Sequence, residues 1–377
     1  MKWLRHQLAR CWHRFWPASV ALVEFSGAAA HGGSPLKVLS GVGWVNKNYL
    51  RHLLFAGAVT ETKLGRFRLR KLIHSPALLK TDAALLLLPL TPAQHEHFGA
   101  ADWCLIPSWL RGEIHLPLTA ATLKHESVKA DLRKIRQQEF GFEIARGGAA
   151  FSEFFYQMNQ PYVRATHGDV AFTDWLAEHR RWLVDYEILF VHRSSEPRRR
   201  LAGVVIVYER NQARLWTLGV RVGHFHEVQN GVIAALYHFS FQQVQTRGFH
   251  RVLTGGSRAF LNDGILKFKR KMANEIFAAY PLGFALKIFK LDSPTRSFLL
   301  ANPFAFQATD GLHAAVFTDT LLTAVLVQRW RKAYLHKGFS RLVIYTFCAA
   351  ETFTVAQLRA EFAGQIEIRP ATDWVAA

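Results

Sequence analysis

The chain has 377 residues, half of them hydrophobic and 13% aromatic, which is enough for two or three compact units and excludes a disordered chain. Its 47 Lys and Arg against 28 Asp and Glu leave +19 with His neutral, a balance that favours phosphates, nucleotides, RNA or an acidic membrane surface without choosing among them. Cys11, Cys104 and Cys348 are too few and too scattered for a disulfide framework or a metal site, and a reducing, cytoplasmic setting fits them.

The first 17 residues, MKWLRHQLARCWHRFWP, carry Leu4, Leu8, Cys11, Trp12 and Phe15 at helical spacing with basic residues between them. This predicts an amphipathic helix ended by Pro17, suited to peripheral contact with the inner face of a membrane or to packing on the protein itself. Arg5, His6, Arg10, His13 and Arg14 interrupt any signal-peptide core. No run reaches the roughly 18 apolar residues needed to span a bilayer.

Strands are expected at 18–25 and 36–43, with a loop at 28–33 between them. The basic stretch 63–72 suggests an exposed edge strand, and 82–90 a buried one. These form a first α/β unit, 18–125. From Ser127 a helix is expected, then a strand at 141–145, helices at 149–165 and 173–184, and strands at 187–192, 201–209 and 214–221. A helix over 230–247 ends at Gly248, which suits a C-terminal cap. A strand at 251–255, a helix near 260–273 and a strand near 275–290 complete a second unit, 126–290. The segment 291–377 alternates again: strand 313–317, helix 321–337, strand 341–346, helix 357–362, strand 366–369. Gly338-Phe339-Ser340-Arg341 echoes Gly248-Phe249-His250-Arg251, either as a duplicated unit or as two uses of one glycine cap. The alternation implies layered α/β architecture.

Phosphate-loop, dinucleotide-fold and nucleophile-elbow motifs are absent. His95-Glu96-His97 lacks helical ligand spacing, and His224 with His226 reads as an ordinary loop pair, so no metal is expected. The chemistry-bearing segments are two. A strand runs through Arg221 and a turn containing Asn230 and Gly231 into the long helix, whose N-terminus suits an anion. A second strand ends in Gly255-Gly256-Ser257 and is followed by Asn262-Asp263-Gly264 and the basic run Lys267, Lys269, Arg270, Lys271. Glycines there let a ligand approach the backbone, and Asn262 or Asp263 also suits a helix cap.

The order of these pieces resembles the GNAT-type N-acyltransferases of the Fem-like branch, associated with cell-envelope polysaccharides. The resemblance covers about 126–275. It rests on the helix SVKADLRKIRQQ, on FYQMNQPYVRATHG (155–168), on the glycine-ended helix, and on a G-x-S strand end with a following DG-x-x-x-FK-R helix at 255–270. The usual glycine-rich donor loop is reduced to Gly231, and the basic helix ends in KMAN where the family has an aromatic and a glycine. The resemblance implies a GNAT-like mixed sheet with flanking helices, two such units plus further α/β segments, and acyl or aminoacyl transfer to an amine of an amino sugar or lipid-linked, anionic precursor, with acyl-CoA or aminoacyl-tRNA as donor. No nucleophilic cysteine is needed. Asp263 is the first candidate base, with His167 and Glu209 behind it and Tyr162 as a proton donor. Arg221, Asn230, Gly231, Gly255 and Ser257 would hold the donor, and Lys267, Lys269 and Lys271 the anionic substrate, in a cleft beside Gly255–Ser257. Two other readings suit the composition: a basic nucleic-acid-binding protein, and a GNAT scaffold without activity that docks on membranes.

Overall fold

The computed structural model describes residues 19–42, 47–79, 81–90, 103–168, 183–279, 283–348, 352–362 and 364–374. The expected helices at 1–17 and 173–184, apart from its last residues, and the His95–His97 segment lie outside them. The strands are β1 (Ser19–Ala29), β2 (Pro35–Gly41), β3 (Phe55–Arg68), β4 (Leu85–Leu90), β5 (Cys104–Pro107), β6 (Leu110–His115), β7 (Phe140–Ala145), β8 (Tyr186–Arg193), β9 (Ala202–Glu209), β10 (Gln212–Val220), β11 (Arg251–Leu253), β12 (Glu275–Ala278), β13 (Gly283–Ile288), β14 (Phe304–Ala308), β15 (Gly311–Thr318), β16 (Phe339–Thr346) and β17 (Ile366–Pro370).

They form two mixed sheets with flanking helices. One has ten strands, in the order β17-β16-β15-β14-β5-β13-β4-β2-β1-β3; the other has seven, β12-β6-β11-β10-β9-β8-β7. By contacts the chain divides into one unit made of Met1–Leu110, Ser257–Leu266 and Phe277–Ala377 and another made of Arg111–Gly256 and Lys267–Ile276. This division differs from the sequence partition at 125/126 and 290/291. The expected strand over 275–290 is two strands, β12 and β13, in different sheets. The expected helix over 260–273 is only Gly264–Lys269.

In the ten-stranded sheet, β4 is a buried leucine strand between β13 and β2. The expected edge strand is β3, which pairs with β1 and is exposed along most of its length; 69–74 is helical instead. The echo at Gly248 and Gly338 is geometric: both have positive φ, and each lies between a helix and a strand that runs parallel to the strand before the helix. Gly248 completes its cap with Gly248 N–H to Gln245 O at 2.9 Å and Phe249 N–H to Val244 O at 3.1 Å.

The seven-stranded sheet is covered on both faces, which is why its central strands read as unbroken apolar runs. On β8, Leu189 and Val191 join the core that includes helix Val232–Thr246, while Ile188 and Phe190 join the core of Phe151, Phe154, Phe155 and Met158. β9 alternates the same way, with Val204 and Ile206 on the first side and Val205 and Val207 on the second.

One charge is buried among these layers. Glu187 on β8 is 1% exposed. It accepts from Tyr208 Oη and Gln243 Nε2, each at 2.8 Å, from Arg247 at 2.8 Å and from Arg146. Burial alone would push this carboxyl up. The hydrogen bonds from Arg146, Gln243 and Tyr208 and the charge of Arg247 outweigh it and hold the group below the usual carboxylate range. Glu187→Gln should therefore cost about 3 kcal/mol at neutral pH, the scale for breaking a buried ion pair, as read by urea unfolding. A carboxyl with a lowered folded pKa stabilises fully above its unfolded pKa and loses that contribution as pH falls through the folded value. The gap between wild type and Glu187→Gln should accordingly narrow in acid.

Candidate functional site

The site is built where β10 parts from β11. The two strands run parallel but pair only at Ala213↔Val252 and Arg214↔Leu253. β10 continues to Val220 with β9 on its other side, carrying a bulge at Trp216 between Leu215 and Thr217. β11 stops at Leu253, and the chain bends so that Gly255 lies against the carbonyls of Leu215 and Trp216, where a Cβ would come within 3.2 Å of each. The ladder between the two strands therefore ends well before the C-terminal end of β10. With β7–β10 antiparallel, β10 and β11 parallel, and a helix between them, this unit is GNAT-like.

The helical segment that closes one face of the opening has a defect at its centre. Helix Gly147–Phe154 continues through a π-helical turn, Phe155–Asn159, into helix Gln160–His167. Pro161 lacks an N–H and cannot bond the carbonyl of Gln157 four residues earlier. That carbonyl instead accepts from Val222 N–H at 3.0 Å, which ties the turn after β10 to the helix. Asn159, fully buried, donates its amide to Thr217 Oγ1 and Leu218 O, both at 2.7 Å. Gly219 lets the helix backbone approach: a Cβ there would lie 2.5 Å from Asn159 N and Cα.

The turn at 221–231 is held by charges. Arg221 bonds the carbonyl of Arg200 at 2.6 Å and pairs with Glu153. Asn230 donates to Glu227 at 3.0 Å, and Glu227, buried, takes both its oxygens to Arg193 at 2.8 and 2.9 Å. Gly231 has φ +96° and precedes helix Val232–Thr246. It is not the open cradle expected for a donor diphosphate, because Lys134 packs over it, 3.1 Å from its Cβ position, and donates to Gln229 O at 2.8 Å. His224, His226 and Glu227 offer ligand atoms within 4.8 Å of one another. Their surroundings are cationic: Arg193 already neutralises Glu227, and Arg199 lies 3.3 Å from His224 Nε2. Burial first, then the charge of Arg199, holds His224 below the usual imidazole value.

The remaining predicted residues fall in two places. Asp263 belongs to the unit that contains the ten-stranded sheet. Its Oδ1 accepts from Leu266 N–H at 2.9 Å, so it caps helix Gly264–Lys269. Ser257, in the same unit, is buried and pairs with Leu110 through backbone bonds in both directions. Tyr162 and His167 share one helix in the other unit. Tyr162 packs edge-on against Phe225, and burial pushes its phenol up, opposed by a hydrogen bond with Thr166. Glu209 pairs with Arg214 and Gln212 in its own hairpin. The three lysines have separate fates. Lys267 is exposed. Lys271 lies beyond the helix end, 3.5 Å from Asp131. Lys269 is buried and donates to the carbonyls of Gly255 and Gly256 at 2.7 and 2.9 Å.

Sequence reasoning missed Arg198, Arg199 and Arg200. The three consecutive arginines between two strands were the available signal, and they line an open groove with Arg221 and His224.

No protein-family model matches the chain, and no curated protein matches it. Solved structures similar to it include L-PGS from Bacillus licheniformis, 11% identical with a TM-score of 0.35, covering 74% of this chain and 88% of that one. A GCN5-related N-acetyltransferase from Kribbella flavida is 10% identical with a TM-score of 0.29, covering 93% and 83%. FemX is 8% identical with a TM-score of 0.32, covering 70% and 83%.

Three substitutions separate the capping carboxylate from the buried lysine. Asp263→Ala should cost about 1 kcal/mol and Asp263→Asn much less, because asparagine also caps. Lys269→Met removes the donor to the Gly256 carbonyl and leaves the Gly255 carbonyl only Thr254 Oγ1 at 3.2 Å, and should cost about 2 kcal/mol. Chemical denaturation of the three variants checks the order.

Proposed function

We propose that this chain transfers an acyl or aminoacyl group from an activated donor to an amine. The observation that carries the reading is the early parting of β10 from β11, whose ladder ends at Arg214↔Leu253 while β10 runs on to Val220. Transfer forms a C–N bond and breaks the bond from carbonyl carbon to leaving group. One proton must leave the amine and one must reach the leaving group. Positioning and a polar setting for the carbonyl oxygen supply most of such a rate.

Tyr162 suits the second proton. Its phenol O–H is a proton donor rather than a base, although burial raises its pKa and makes it a weaker acid. Asp263 is a weaker base candidate than its sequence context implied, since its carboxylate is engaged as a helix cap. Acyl-CoA and aminoacyl-tRNA are both donors of the right chemistry, and amino sugars or cell-envelope precursors are acceptors of the right class. Lys134 over Gly231 argues against a diphosphate seated directly on that glycine.

The test is a mass-spectrometric screen for acylated products, with amino sugars and lipid-linked sugars as acceptors and several acyl-CoAs and aminoacyl-tRNAs as donors. We expect one donor class to give product, and Tyr162→Phe to lower kcat by about a hundredfold with KM unchanged. Unchanged turnover would make Tyr162 a packing residue only. No product from any pair would remove the transferase reading.

A further inference from the structure

Beside the turn after β10 lies an open groove of about 740 Å³, lined by Glu153, Glu196, Pro197, Arg198, Arg199, Arg200, Arg221 and His224. Its volume is in the range of small-ligand sites. All eight residues belong to the unit with the seven-stranded sheet, and three elements supply them: the β8–β9 connection, the end of β10 and helix Gly147–Phe154. Four arginines face two glutamates, so the lining keeps two positive charges in excess before any ligand enters.

The arginines divide by how they are held. Arg200 and Arg221 form a fixed floor. Arg200 pairs with Glu143 and, at 2.5 Å, with Glu153, and it lies 4.2 Å over the Phe190 ring. Arg221 takes the other oxygen of Glu153 and the carbonyl of Arg200. Arg199 pairs with Glu196 at 3.0 Å with both side chains about half exposed, an arrangement worth little in water and easily exchanged for a ligand. Arg198 is exposed and makes no ion pair or hydrogen bond to any described residue. Arg199 also lies 3.3 Å from His224 Nε2, so the rim offers two lightly held guanidinium groups beside two paired with Glu143 and Glu153. A guanidinium offers paired N–H donors matched to oxyanions. His224, whose pKa burial and then the charge of Arg199 lower, adds a further hydrogen-bonding group.

We infer that this groove binds the phosphate or diphosphate group of a small-molecule substrate through Arg198 and Arg199. No Phe, Tyr or Trp is among its lining residues, so it favours phosphate oxygens over a stacked base. The inference deepens the transferase reading, because it gives the anionic part of a substrate a seat away from Gly231. It is read by binding alone, so the two ideas fail separately.

The experiment is calorimetric titration of the full chain with inorganic pyrophosphate, for wild type, Arg198→Ala/Arg199→Ala and, as a control that does not line the groove, the exposed Arg329→Ala. We expect saturable binding that weakens at least about tenfold in the double variant, on the scale of losing charge-assisted hydrogen bonds, and stays unchanged in the control. Circular dichroism and thermal melting confirm that the double variant is folded; Arg198→Lys/Arg199→Lys, with intermediate affinity expected, is the second variant should it not be. Absence of pyrophosphate binding by wild type, or equal affinity in the double variant, overturns the inference. A parallel titration with bulk tRNA distinguishes the other phosphate source: loss of tRNA binding in the double variant without pyrophosphate binding in wild type would make the groove a nucleic-acid surface and overturn the small-molecule assignment.

Discussion

A single missing hydrogen-bond donor organises the GNAT-like unit. Proline at 161 cannot close the helical bond to the carbonyl of Gln157, and a buried carbonyl without a donor costs free energy comparable to a lost hydrogen bond. The chain solves this twice over. It widens the helix into the π turn Phe155–Asn159, and it brings Val222 N–H to the freed oxygen. The consequence reaches well beyond one bond. The segment following β10 is pinned to the helix, Asn159 is placed to take Thr217 and Leu218, and the helix backbone is drawn against Gly219. Replacing that glycine would push apart the same surfaces that the proline's defect joins, so the two residues act as one constraint on how β10 can leave β11.

The second organising element is electrostatic, and it explains how a strongly basic chain keeps a dry interior. Glu187 collects Arg146 and Arg247, Glu153 collects Arg200 and Arg221, and Glu227 holds Arg193. Each carboxylate joins elements distant in sequence, and each places guanidinium groups in set positions. The excess positive charge is left for surfaces where no carboxylate answers it.

Much of this was legible in the sequence, for reasons that can be named. β8 and β9 were found because burial on both faces makes continuous apolar runs. The helix after them was found because Gly248 stops it with positive φ. The helix near 260–273 was read too long because Phe268 and Met272 have helical apolar spacing, yet both pack on the core that helix Val232–Thr246 joins, while Asp263 fixes the helix start. The lysines of this run looked alike as letters. Only burial separates Lys269, bonded to two glycine carbonyls, from exposed Lys267, and burial at that resolution is a property of the fold. Asp263 illustrates the same limit: a carboxylate before a glycine reads equally as base or cap until its hydrogen bond is seen.

The turn that carries Gly231 shows how function and stability compete for the same groups. A helix N-terminus attracts anions because its first N–H groups lack partners. Here the neighbouring positions are already engaged, Asn230 by Glu227, Gln229 by Lys134, and Gly231 by the stem of Lys134. A ligand phosphate at that point would have to break contacts that hold the turn. In the β8–β9 connection, Arg199 is held by an exposed ion pair with Glu196 and a 3.3 Å contact with His224, and Arg198 makes no ion pair or hydrogen bond to any described residue. Because the cost of displacing a partner enters directly into ligand affinity, an anion gains more beside these arginines than at the helix start, even though the helix start is the more familiar place for it.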